Sequence, residues 1–133
     1  MRTIHILLVL VLMSGVSSFS CTKRKDKAGK GGAAILKVTP QHHSKNIEQC
    51  TIYLKYESSV PPSDNTAGYD ESAVCVMEGG KPVATFTGLR NGKYYIFGSG
   101  YDPDIAMAVK GGIPYEITQQ ATLSVNVPVT EGD

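Results

Sequence analysis

The chemistry-bearing residues of this chain are few. His5 lies in an N-terminal apolar run, which leaves the adjacent pair His42 and His43, just after Pro40. Imidazole is a common ligand for zinc and copper, so the pair is a candidate metal centre. In an extended segment, neighbouring side chains point to opposite sides, and one ion would not easily take both. Two or three further ligands would have to come from elsewhere, from Asp102, Asp104 or Glu48. The favoured reading is a polar loop pair that makes hydrogen bonds without metal, and no cofactor is expected.

Cys50 and Cys75 each fall in a strand-like run with apolar neighbours on the same face. In an oxidising compartment they would close a loop of about 25 residues, worth roughly 3 kcal/mol in the chain-entropy model. The alternative, equally open, is two separately buried thiols packing as small hydrophobes. Neither is catalytic, since no C-x-x-C pair is present. Gly98-Ser99-Gly100 lacks the five-residue nucleophile-elbow pattern. The following Tyr101-Asp102-Pro103-Asp104 lacks the alternating acids of a calcium loop and reads as a proline-stabilised turn. No catalytic constellation emerges, so the chain is expected not to be an enzyme.

Stepping along the chain, Met1 and Arg2 precede an apolar run from Ile6 to Met13 and then small residues before Cys21. The run is shorter than the roughly 20 residues a membrane helix needs, and reads as a signal peptide over 1–20. Ser18-Phe19-Ser20 satisfies the small-x-small rule of ordinary signal peptidase. Small residues directly before Cys21 also resemble the lipobox of bacterial lipoproteins, whose cysteine is acylated after cleavage. Both readings cut before Cys21. The lipobox resemblance, which is preferred, implies lipidation at Cys21 and anchoring to a bacterial membrane, on the periplasmic side or at the cell surface.

Residues 21–32 form the expected flexible tether: 21–30 carries five Lys or Arg against one Asp. From Gly31 onward there are seven basic and eleven acidic residues, so the net charge of +1 conceals a basic tether and an acidic domain. A basic run beside a membrane is drawn to anionic headgroups. A solvated spacer needs no such attraction, and the composition fits both. An acidic domain without a basic stripe argues against nucleic acid as a partner.

The hydrophobic fraction of 41% over 133 residues supplies one core, not two. No window shows helical three-and-four spacing, while short β-branched and aromatic runs recur between Gly, Pro, Asn and Asp. Strands are predicted at 34–39, 50–57, 72–77, 83–87, 93–99, 105–109, 115–117 and 121–127. These eight short segments predict an all-β, two-sheet antiparallel sandwich of about seven to eight strands over 33–129, followed by a tail at 130–133. Leu123, Val125 and Val127 share one face, as do Ile52, Leu54 and Tyr56. Residues 60–68, with Pro61 and Pro62, form a surface loop. The 93–99 strand is apolar on both sides. Tyr53, Tyr95, Phe97 and Tyr101 would thus offer a binding surface for an envelope protein or a sugar, unless a loop covers them.

Phe86, Leu89, Gly92 and Tyr94 fall in a pattern that resembles the carboxypeptidase regulatory-like and other transthyretin-like (prealbumin-like) β-sandwich modules. Phe and Leu would plug the sandwich end, Gly make the turn and Tyr open the next core strand. The runs 50–56 and 33–38 look like the second and first strands of such modules. The hydroxyisourate hydrolases of this group end in Tyr-Arg-Gly-Ser, whereas this chain ends Thr130-Glu131-Gly132-Asp133. The resemblance implies a non-catalytic accessory module of the cell envelope. The alternative is a copper- or zinc-binding envelope lipoprotein using His42 and His43.

Overall fold

The alternation of apolar and polar residues is realised as two packed sheets. The computed structural model describes residues 27–63 and 66–132. The expected leader 1–20 and lipidated Cys21 lie outside the described residues. The strands in chain order are β1 (Lys30–His42), β2 (Lys45–Asn46), β3 (Gln49–Tyr56), β4 (Glu71–Val74), β5 (Val76–Glu78), β6 (Lys81–Leu89), β7 (Gly92–Asp102), β8 (Met107–Ile117) and β9 (Thr122–Pro128), with a 3₁₀ turn at Thr66–Gly68. In one sheet β1 pairs antiparallel with β6 and parallel with β9, turns into β2, and β6 carries β5. The other sheet is antiparallel in the order β4-β3-β7-β8.

The chain stitches the sheets together along both sides. On one side it leaves the second sheet after β4 and joins the first as β5, with Cys75 at the crossing. On the other, Val129 N–H bonds to the Gln41 carbonyl at 2.8 Å, and Thr130 and Lys110 then exchange two backbone bonds at 2.9 Å. Leu36, Val38, Ile52, Leu54, Phe86, Leu89, Tyr94, Ile96, Val109 and Val127 fill the space between, none more than 1% exposed. Each such side chain contributes about 1.5–3 kcal/mol relative to exposure.

Three expectations about elements are corrected. The 72–77 strand is two strands in different sheets, β4 and β5. The separate strands at 105–109 and 115–117 are one, β8; Gly111, Gly112 and Pro114 read as breakers, yet Pro114 sits in an edge strand, where a missing N–H is tolerated. The ordered fold also begins before Ala33, so 27–32 is not all flexible tether. Ala28 is part of the core, Gly29 accepts from Arg90 N–H at 2.8 Å, and β1 starts at Lys30. Backbone hydrogen bonds hold this segment, and they leave no apolar pattern to read.

The Phe86, Leu89, Gly92 and Tyr94 pattern does pack as its chemistry predicts. Phe86, Leu89 and Tyr94 are buried, and Gly92, at φ +147°, lets the Ala28 backbone approach where a Cβ would stand 2.5 Å from Ala28 N. The Tyr94 hydroxyl donates to the carbonyl of Arg90, four residues upstream, at 2.8 Å. It also accepts from Gly29 N–H at 2.8 Å. A tyrosine that reaches back in this way is a corner device of β-sandwiches, and here it locks the entry of the chain to the β6–β7 turn.

Candidate functional site

His42 is the last residue of β1 and opens a hairpin in which it pairs with Lys45. The two turn residues, His43 at φ 47° and Ser44 at φ 66°, are both left-handed, as a two-residue turn matched to strand twist requires. This corrects the expectation that the two imidazoles diverge. The strand ends at His42, alternation ends with it, and the rings meet at 4.2 Å between centroids, inclined at 61°.

His42 is 4% exposed and Asp102, at the end of β7, is 3% exposed. His42 Nδ1 lies 2.8 Å from Asp102 Oδ2. The other oxygen of Asp102 accepts from Asp104 N–H at 2.9 Å and stands 3.6 Å from Lys45 Nζ. Lys45 itself pairs with Asp104. On the far side of the ring, Nε2 faces the Glu131 carboxylate as a charge contact. It is buried, yet it finds no hydrogen bond of acceptable geometry. One ligand atom from each of His42, His43 and Glu131 falls within 4.8 Å of the others.

The electrostatics follow from these contacts. The bond to Asp102 holds the His42 pKa above its ordinary value, against burial, with Glu131 adding to the rise. Asp102 is held below the usual carboxylate range, chiefly by His42. Glu131 is also lowered, first by a backbone N–H and then by the two histidines. Lys45 is raised by Asp104 above all.

Of the carboxylates named from sequence, Asp102 reaches His42, Asp104 serves Lys45, and Glu48 is exposed beside Lys45, Gln49 and Pro103. The residue that sequence reasoning missed is Glu131, assigned to a tail. Its signal was parity: Leu123, Val125, Val127 and Val129 alternate toward the core, and Glu131 is next in that series. The Thr130 bridge to β8 then fixes it beside His42.

Comparison with known proteins does not name this arrangement. No family model matches the chain, nor does any curated protein or solved structure.

Cys50 and Cys75 are free, buried thiols, brought side by side where Cys75 N–H bonds to the Cys50 carbonyl at 2.9 Å. Contact with the Cys75 thiol, and then burial, pushes the Cys50 thiol well above its ordinary pKa. Tyr53 and Phe97 are cross-strand partners with centroids 6.2 Å apart. Tyr69, which the surface loop carries back to β4, packs on both at 5.6 Å and lies nearly parallel to Phe97. The loop therefore half-covers these rings as a small satellite cluster. Tyr95 lies across Gly112, where a Cβ would meet its ring at 2.7 Å, and Tyr101 stands exposed at the far end of β7. The three tyrosines and one phenylalanine named from sequence thus share one sheet face without forming a single open platform. Among the described residues, no helix is long and apolar enough to cross a membrane.

Proposed function

We propose that the mature protein is a non-catalytic, lipid-anchored β-sandwich module of the bacterial cell envelope, of the transthyretin-like or carboxypeptidase regulatory-like kind, which presents a binding site away from the membrane. The observation that carries this reading is polarity along β1. The chain enters the fold at Ala28–Lys30 beside Arg90 and Tyr94, and the His42 cluster stands at the opposite end of the same 13-residue strand. Lys30 and Ala34 both pair with Leu89, so the run from Ala34 to His42 sets the separation, roughly 26 Å at about 3.3 Å per residue. An acyl group at Cys21 would hold the first end at the membrane, and the second would face outward.

The non-catalytic reading rests on what His42 meets. A buried Asp-His pair is the orienting half of a nucleophilic triad, but the third position here is the Glu131 carboxylate, which carries no proton for His42 to abstract. The anchor is tested by fractionating a bacterial host that expresses the full chain and measuring the intact mass of the product. Membrane-bound protein beginning at an acylated Cys21 is expected, with the acyl mass and the membrane fraction both lost in Cys21→Ala. A soluble product with unmodified Cys21 would overturn the anchor.

A further inference from the structure

We propose that His42, His43 and Glu131 bind a divalent transition-metal ion of the zinc or copper(II) kind, with Asp102 as the positioning residue behind His42. This rests on the reading of the distal end as the binding site and names what is bound there. The donor set is two imidazoles and one carboxylate. That set suits zinc and copper, whereas calcium and magnesium prefer all-oxygen cages. Three protein ligands leave a fourth tetrahedral position for water or a partner's group.

The geometry separates this cluster from a chance gathering of polar side chains. His42 cannot move: its ring is buried and Nδ1 is tied to Asp102. Asp102 is in turn fixed by Asp104 N–H and Lys45. A carboxylate that accepts a hydrogen bond from the Nδ1–H of a histidine leaves Nε2 as the ligand nitrogen and orients it, the usual outer layer of a histidine metal site. Among the described residues, that Nε2 is the buried side-chain atom left without a hydrogen bond, and it is aimed at Glu131. The Glu131 carboxylate gives it a charge contact but no hydrogen bond, and an ion held between the two would satisfy both groups at once.

The other two ligands supply the adjustment. Metal-bound nitrogens and oxygens at about 2.0–2.1 Å from an ion stand roughly 3.4 Å from one another in a tetrahedron. The present spread, within 4.8 Å, must therefore tighten. His43 is exposed on a turn, and the Glu131 side chain is 42% exposed, so both can rotate toward a fixed His42.

The test is calorimetry on the mature full chain in detergent, stripped with chelator, titrated with Zn²⁺ alone and Cu²⁺ alone. Copper spectra by electron paramagnetic resonance read the nitrogen ligands. One ion per chain with two coupled nitrogens is expected. His43→Ala should remove one nitrogen, and His43→Ala and Glu131→Gln should each weaken binding about tenfold or more with circular dichroism unchanged. Asp102→Asn should weaken it about 10–100-fold while keeping both nitrogens. Wild-type protein that takes up neither metal would overturn the assignment, leaving His42 as an ionic clamp between Asp102 and Glu131. Binding unchanged in the His43→Ala, Glu131→Gln double variant would overturn it too, by locating the metal elsewhere, such as an unacylated N-terminus. Membrane fraction and acyl mass are read separately, so loss of the anchor and loss of the metal site are told apart.

Discussion

Replacing Tyr94 by Phe removes one oxygen atom and tests how the sandwich holds the segment Ala28–Lys30. The ring stays: it is fully buried and meets Tyr56 edge-on at 5.8 Å, contacts a phenylalanine keeps. What goes is the bond donated to the Arg90 carbonyl and the bond accepted from Gly29 N–H. The Arg90 carbonyl belongs to an exposed residue and can turn to water, so that loss is about 1 kcal/mol. Gly29 is buried, and its N–H bonds to the Tyr94 hydroxyl, so losing that bond adds about 1–3 kcal/mol for a stranded donor. The sum is about 3 kcal/mol, a large share of the 5–15 kcal/mol expected for such a domain. For a domain of roughly 100 residues this lowers Tm by about 10–20 °C. Urea and thermal unfolding followed by circular dichroism measure it, and hydrogen exchange at Gly29 should accelerate more than at Ile52. A loss below about 0.5 kcal/mol, or unaltered exchange at Gly29, would refute the claim that this hydroxyl locks the entry segment.

Other consequences can be measured on the same material. Gly92→Ala should cost about 2–3 kcal/mol, because the new Cβ meets the Ala28 backbone at an unfavourable φ, whereas Gly79→Ala, also at positive φ but with open space, should cost about 1 kcal/mol. Burial raises the phenols of Tyr56 and Tyr94 and pushes Tyr69 up to about 12. Between pH 10 and 12 the unfolded chain therefore binds fewer protons than the native one, so stability should fall as pH rises through that window; denaturant midpoints that stay level there would contradict it. Oxidised glutathione with a disulfide isomerase should join Cys50 and Cys75, reducing the glutathione as two thiol hydrogens are lost. The bridged form should be more stable than the reduced one by about 3 kcal/mol, and peptide mapping that still finds two free thiols would count against it. Phe86→Ala should remove about 3–5 kcal/mol, the ordinary cost of emptying a fully buried aromatic site, read from denaturant midpoints at constant m.

The sequence alone determined that the chain is all-β and which side chains face the core. Alternation is a local code, because side chains two apart share a face in any strand. Ile52 and Leu54 in β3, and Val127 in β9, could be placed inward without knowing what they touch. The burial of Phe86, Leu89 and Tyr94 was expected from the resemblance of their pattern to that of other sandwich modules, not from alternation. What only the tertiary structure decided depends on partners far away in the chain. The crossing at Cys75 is set by which sheet each half of 72–77 finds. The early start of the fold is set by backbone bonds from Gly29 to Arg90 and Tyr94, which have no side-chain signature. The His42 site combines both causes: a left-handed turn swings His43 beside its neighbour, and strands β7 and β9 deliver Asp102 and Glu131 from 60 and 89 residues away. No local pattern encodes such distances, because they exist only once the sheets have closed on one another.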